Sequence, residues 1–438
     1  MRLDRSRRSA ERPRSGPACI RSVSSFLLGA ALLATACGSG HRPSELKVAL
    51  VDFTSGSPAP FGIGATNAGR LVIEQINATG GIGGVPVRAL EMDEAGPVDQ
   101  VVRSYRRLVL DEKVDAVIGY TSSANCLAVA PVAEELKTLT IIHVCGTFRL
   151  FEGKPLEYVV RAGSQGAADS VGAALYLVAV RPGLKTVAAI NDDYVWGRDS
   201  WTMFEHTLKR LKPEVRVVAT LWPRAFIGEY SAEIAALLAA RPDAIFTSMW
   251  GVHLDIFIQQ AQARGLFGKS LVVMPAGETA LLTLGRAVPA GIAMSGRGRY
   301  LYRPDPERDP LNRQFIADYA VRYGEIPVYP AYRMAQAIYG LKAAYEKAFR
   351  AKNGAWPSPE DVIKAFRGLT YRTPSGMVTT QSNQDSHQEV VFGMTTARLD
   401  PRYGFPLLDR VRVFPPEWVN PPVGVRTLEW IDGGAWRP

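Results

Sequence analysis

Histidine is scarce in this chain. Five occur in 438 residues (His41, His143, His206, His253 and His387). None is spaced as in the H-E-x-x-H pairing of a metallohydrolase, so no metal site is expected. There is no G-x-S-x-G turn to raise a nucleophilic serine, and no Walker A loop to cradle a nucleotide. Gly62-Ile63-Gly64-Ala65-Thr66-Asn67 begins like a dinucleotide fingerprint but lacks its third glycine. Asp385-Ser386-His387 reads as a turn. No cofactor and no catalytic residue is expected. Low-complexity tracts long enough to form a disordered domain are also missing.

Positive charge is concentrated at one end. Seven arginines and two acids in residues 1–36 account for five of the nine net positive charges, leaving +4 for 37–438. No basic run survives there, which argues against nucleic acid as a partner. After the arginines comes an uncharged run over 22–36, whose apolar part, 26–36, is shorter than the ~20 residues needed to cross a bilayer. A positive stretch, an apolar stretch and small residues before a cut site predict a secretion signal over 1–36. Leu33-Ala34-Thr35-Ala36-Cys37 resembles the lipobox of bacterial lipoproteins, which implies acylation of Cys37 and an anchored, exported chain facing the periplasm or cell exterior. A signal with an incidental Cys37 is the other reading. Residues 37–44 read as a polar tether.

Cysteine is also rare, with four in all: Cys19, Cys37, Cys126 and Cys145. Only Cys126 and Cys145 remain beyond the signal and its cut site, in a disulfide-permissive setting. Each follows one of two consecutive expected strands. They are either a bridge or two buried thiols.

With 47% hydrophobic residues the exported part can bury a full core. Strands are expected at 46–51, 85–92, 114–119 and 140–144, with helices at 65–77, 97–111 and 128–137 between them. The rhythm restarts with helices at 169–180, 200–211, 231–240 and 254–264 around strands at 186–191, 215–220, 244–248 and 271–274. Such alternation predicts parallel, doubly wound sheets, and two successive runs predict two lobes. A polar, Pro-rich stretch at 303–310 precedes a long helix at 328–350. From Tyr371 onward helix signals vanish and short strands are expected. Ligands of open α/β sheets bind beyond the carboxyl ends of the strands. Here those ends hold Thr54 and Ser55, residues 120–123, 145–147 and 191–196, and Ser248 to Trp250.

Four stretches, in this order and spacing, are similar to the periplasmic Leu/Ile/Val-binding proteins, the type I solute-binding components of ABC importers. From residue 46 a strand and a Ser/Gly/Pro loop lead into a helix ending Glu-Gln-Ile-Asn, then Gly-Gly-Ile-Gly-Gly. Val-Ile-Gly-Tyr-Thr-Ser-Ser and Ala-Pro-Val-Ala-Glu-Glu follow within 116–135. Asn-Asp-Asp-Tyr-Val-Trp-Gly-Arg-Asp-Ser-Trp stands at 191–201, and Tyr-Pro-Ala-Tyr-Arg-Met-Ala-Gln-Ala-Ile-Tyr-Gly begins at Tyr329.

The resemblance implies a two-lobed receptor of the periplasmic-binding-protein type I fold that closes on a small polar ligand and presents it to a membrane permease. Lobe one is expected from 45–162 plus 296–378 and lobe two from 163–295 plus 379–438. The expected ligand is a branched-chain amino acid or a similar carboxylate or amide, and the expected state is a monomer. Ser123, Gly146 and Thr147 match the family's carboxylate pocket, although Ser123 also reads as a plain helix N-cap. Trp196 falls where the family places an aromatic over the ligand, with Trp250 a second candidate, and Phe61 and Tyr120 would line the opposite side. Each of these rings also reads as ordinary packing. Glu278 lies near the family's acid for an α-ammonium, or else on the solvated surface. Asp192 and Asp193 are alternative acids; with no acid in the cleft, a carboxylate or amide would fit better than an amino acid. The family's own disulfide sits elsewhere than Cys126 and Cys145. A sensor of the same fold, or a secreted hydrolase or oxidoreductase, are the competing classes.

Overall fold

Residues 46–52, Leu-Lys-Val-Ala-Leu-Val-Asp, alternate between two buried faces, which makes them a central strand with a core on each side. In the computed structural model, which describes residues 42–225, 227–296, 309–401, 404–434 and 436, this segment is β1 (Leu46–Asp52). Residues 1–36 and Cys37 lie outside the described residues. The chain continues through α1 (Ala59–Ala78), β2 (Val87–Asp93), α2 (Val98–Leu110), β3 (Ala116–Gly119), α3 (Ser123–Leu136), β4 (Leu139–Ile142) and β5 (Val159–Arg161). The five strands form one parallel sheet in the order β2-β1-β3-β4-β5. Leu46, Val48 and Leu50 pack into one core cluster, whereas Ala49 and Val51 pack into another on the opposite face. Burial on both faces explains the nearly unbroken apolar runs.

The second lobe repeats the plan with α4 (Gly166–Val180), β6 (Thr186–Ile190), α5 (Val195–Leu211), β7 (Arg216–Leu221), α6 (Ser231–Ala240), β8 (Ala244–Phe246), α7 (Val252–Ala263), β9 (Leu271–Met274), α8 (Thr279–Leu284) and β10 (Ala293–Gly296). The chain then returns to the first lobe. There α9 (Pro310–Tyr323), α10 (Tyr329–Ala351) and α11 (Pro359–Phe366) contribute Phe315, Tyr332, Ile338 and Val362 to the core behind β1. A small antiparallel sheet follows, β11 (Thr370–Thr373), β12 (Gly376–Thr380) and β13 (Ser386–His387). A long hairpin, β14 (Val390–Leu399) and β15 (Pro406–Phe414), extends the second sheet, and α12 (Pro416–Val419) and α13 (Thr427–Gly433) pack on that lobe. The second sheet runs β15-β14-β10-β9-β8-β6-β7, parallel except at β10-β14-β15.

Two expectations need correction, and one helix was not expected. Between the Pro-rich stretch and the long helix stands α9, which starts at Pro310. Proline suits the first turn of a helix, where its missing N–H costs nothing, and the Asp309 side chain caps that turn by accepting from the amides of Leu311 and Asn312. Helix does not vanish after Tyr371, since α12 and α13 are both there, each too short to show a 3.6-residue period. The strands of the late hairpin have ten and nine residues and are not short.

Two of the segments joining the lobes are pinned together. Ser164 donates its hydroxyl to the carbonyl of Gln388 (2.9 Å) and accepts the Gln388 amide (2.7 Å). Beside them Arg161, 1% exposed, donates to both carboxylate oxygens of Asp385 (3.1 and 3.0 Å). Asp385 is therefore a structural partner of Arg161.

Candidate functional site

The carboxyl ends of the parallel strands of the two sheets face each other across a narrow cavity lined by Phe61, Thr121, Ser123, Val144, Gly146, Tyr194, Trp196, Trp250, Ala276 and Tyr329. Five of the ten are aromatic. Thr121 and Ser123 bring hydroxyls, and no carboxylate or cation is among the described lining residues.

The first lobe supplies the polar end. Ser122 caps α3, its hydroxyl accepting from the Asn125 amide (3.5 Å), so the capping role falls one residue before Ser123. Ser123 stands in the first turn of α3, where the helix dipole favours negative charge. Opposite it, Gly146 follows β4. The sulfurs of Cys126 and Cys145 are joined as a disulfide, with Cα atoms 6.5 Å apart, which ties the α3 segment to the segment holding Gly146.

The second lobe supplies flat faces. The Trp196 indole N–H donates to the Ser248 carbonyl (2.9 Å), and that of Trp250 to the Tyr194 hydroxyl (2.7 Å). Ser248 is held in turn by its amide and hydroxyl, both donated to Asn191 Oδ1 (2.7 and 2.8 Å). With their polar edges satisfied inside the protein, the rings offer their apolar surfaces. Trp250 meets Phe61 of the other lobe edge-on at 5.1 Å between centroids, and Phe61 meets Tyr329 at 5.5 Å. Glycine is required where Trp196 seats. A Cβ on Gly166 would stand 2.5 Å from the Trp196 ring and 2.7 Å from the Gly146 carbonyl.

Five expected residues are thus brought together: Phe61, Ser123, Gly146, Trp196 and Trp250. Three are not. Thr147 donates its hydroxyl to Asp199 of α5, which Arg149 also pairs at 2.7 Å, so Thr147 clasps the lobes beside the cavity instead of lining it. Tyr120 has a left-handed backbone (φ +72°) that sends its ring back into the core with Cys126 and Cys145. Glu278 is 3% exposed at the start of α8, close enough to the buried Tyr332 phenol to push its pKa up after burial has done most of that; Ala276 lines the cavity from this loop instead. The alternative acids are also engaged elsewhere, Asp192 with His253 (2.7 Å, both buried) and Asp193 with Arg198 (2.7 Å).

Sequence reasoning missed Thr121, Val144, Tyr194, Ala276 and Tyr329 as lining residues. Thr121 and Tyr194 lie in the strand-end segments singled out from sequence, so the rule for open sheets pointed to them. Tyr329 opens α10 far along the chain, and only the fold brings it to Phe61.

Residues 45–402 match the family model described as periplasmic binding protein. The chain belongs to that family. Membership makes it an extracytoplasmic ligand-binding receptor, and no described helix is long and apolar enough to cross a membrane. It is 25% identical to Leu/Ile/Val-binding protein homolog 4 of Brucella melitensis over 376 residues, 82% of this chain and 85% of the relative. Its fold matches a solute-binding protein of an ABC transporter from Rhodopseudomonas palustris BisB5 in complex with 3,4-dihydroxy benzoic acid (TM-score 0.74, 22% identity, 85% of this chain and 98% of that one). It also matches a leucine-binding protein from Thermotoga maritima (TM-score 0.70, 20% identity, 86% and 99%).

Proposed function

We propose that this receptor captures a small aromatic or similarly flat, apolar carboxylate and hands it to an ABC import permease, acting as a binding protein without turnover. The observation that carries the reading is the composition of the cavity wall: five rings, the Ser123 hydroxyl at the start of α3, and no acid among the described lining residues to receive an α-ammonium. An amino acid would bury its cation without a partner, which is costly. A carboxylate needs only donors at the polar end, and Ser123 with the backbone of Gly146 is placed to give them. The benzoate-type ligand of the structural neighbour from Rhodopseudomonas palustris agrees with that chemistry. Anchoring through a lipid on Cys37, a monomeric state, and closure of 45–162 plus 296–378 onto 163–295 plus 379–438 complete the proposal.

Thermal unfolding of the chain from residue 38 onward tests it against benzoate, hydroxybenzoates, Leu, Ile and Val. A ligand at 100 times its Kd adds about 2.7 kcal/mol. Benzoates should raise Tm, and Ser123→Ala should remove most of the rise. A rise with leucine and none with any benzoate would replace the aromatic carboxylate with an amino acid.

A further inference from the structure

Behind the polar end of the cavity lies a second carboxyl group that the ligand cannot touch. Glu94 follows β2 and is fully buried. It accepts the amides of Thr121 (2.7 Å) and Ser122 (2.8 Å) and the side-chain N–H of Asn125 (3.0 Å), so the donors just ahead of Ser123 are already committed to it. Thr121 links it to a third acid. While its amide goes to Glu94, its hydroxyl donates to Asp52 (3.0 Å), and Asp52 pairs through its other oxygen with His143 (2.8 Å). Asp52 thus has an imidazole partner in His143. Glu94 has only neutral donors among the described residues.

An anion held at Ser123 would be a further negative charge beside this group. Like charges in one buried site do not both persist; one takes up a proton. The titratable groups around Glu94 are Asp52 from β1, His143 after β4 and Tyr120 after β3. The neighbouring Asp93 turns to Thr54 and Ser55. Burial first, and the charge of Asp52 second, push the Glu94 carboxyl well above its ordinary range, against the pull of the three N–H donors.

We propose that Glu94 is a positioning residue of the carboxylate subsite that carries a proton while the anion is bound, so that capturing the anion takes up a proton from solvent onto Glu94. This rests on the carboxylate reading above. It goes beyond that reading by making affinity depend on a group that never meets the ligand. Neutral Glu94 keeps the start of α3 in place without opposing the anion, whereas ionised Glu94 competes for the same dipole.

Calorimetric titration with benzoate, in pairs of buffers that differ in ionisation enthalpy, reads the proton directly. Between about pH 6 and 9 benzoate itself stays ionised, so any linkage belongs to the protein. The wild type should take up a fraction of a proton approaching one, and its affinity should fall by up to tenfold per pH unit through the window where Glu94 titrates. Glu94→Gln should bind with a flat profile and no uptake. Absence of uptake in the wild type overturns the proposal even if the variant does not fold, and so does an equal slope in Glu94→Gln, which would move the proton to His143.

Absence of binding to benzoate at any pH would instead sink the ligand reading. Glu94 is then judged without ligand, by unfolding as a function of pH. Its raised native pKa means that the folded-to-unfolded ratio of the wild type falls by up to tenfold per pH unit above the ordinary glutamate value of about 4.3. Glu94→Gln should lack that fall, and parallel curves would overturn the proposal.

Discussion

The two lobes put the same pair of residue types behind their cavity loops and use them differently. In lobe one Asp52 and His143 meet at 2.8 Å, and in lobe two Asp192 and His253 meet at 2.7 Å, all four buried. Around the first pair stand Glu94, Thr121 and the start of α3, and the cavity wall there is polar. Around the second stand Trp250 and Tyr194, and the wall is aromatic. The lesson is a division of labour. On the proposed function, lobe one would give fixed donors to the charged end of a ligand, and the rings of lobe two, with Phe61 and Tyr329 of lobe one, would cover its body. A ligand with both features would then draw the lobes together, because neither wall alone matches it.

The fastening differs too, and the largest expected effect lies there. Every cysteine beyond residue 37 is in lobe one, where the Cys126–Cys145 bridge spans 19 positions and ties α3 to the segment after β4. A loop of that length is worth about 3 kcal/mol in the chain-entropy model. Replacing both cysteines with alanine should lower the stability of lobe one by about that amount and split the calorimetric trace into two transitions, lobe one first. A trace that keeps one transition at the same temperature would show that the lobes do not differ in this way.

The next effect tests the aromatic wall. Trp250 touches Phe61 and Phe53 across the cleft, so truncating it removes both ligand surface and a contact between the lobes. Buried aromatic anchors of this kind cost about 2–4 kcal/mol when cut to alanine. Trp250→Ala should weaken benzoate binding by about a hundredfold, which at 1.4 kcal/mol per decade is about 3 kcal/mol. Titration calorimetry that finds less than a threefold loss would mean that the lid does not carry the ligand's body.

How much of this was legible in the sequence follows the same division. The parallel strands could be read because burial on two faces leaves apolar runs such as 48–51 and 271–274, and the loops at their ends pointed to Ser123, Gly146, Trp196 and Trp250. Short elements could not be read: β5 has three residues and β10 four, too few for a pattern. The start of α9 was obscured because Pro310 reads as a breaker until Asp309 is recognised as its cap. Side-chain direction was the weakest point. Tyr120 stands next to Thr121 in sequence, yet a left-handed backbone angle sends its ring to the opposite side. Thr147 stands next to Gly146, but Asp199, 52 positions away, claims its hydroxyl. Spacing along a chain locates a loop, whereas the partners that turn its side chains come from elsewhere in the fold.

The smallest effect separates protons that touch ligand binding from protons that do not. Lobe two has its own raised acid, Asp255 on α7, which burial pushes up to about 6 against the opposing pull of Thr283 and His253. It is absent from the cavity wall. Its unfolded pKa is about 3.9, so between there and its native value the folded state binds the extra proton and stability falls as pH rises, by up to about 1.4 kcal/mol per unit. Over that window the loss is about 2 kcal/mol, and Asp255→Asn should remove it. Denaturant unfolding from pH 4 to 7 measures this. Benzoate affinity, measured above about pH 7 where Asp255 is largely ionised, should be the same in the variant and the wild type. If Asp255→Asn also flattened the pH dependence of affinity, proton linkage would belong to the whole molecule and not to the lobe that holds the charge.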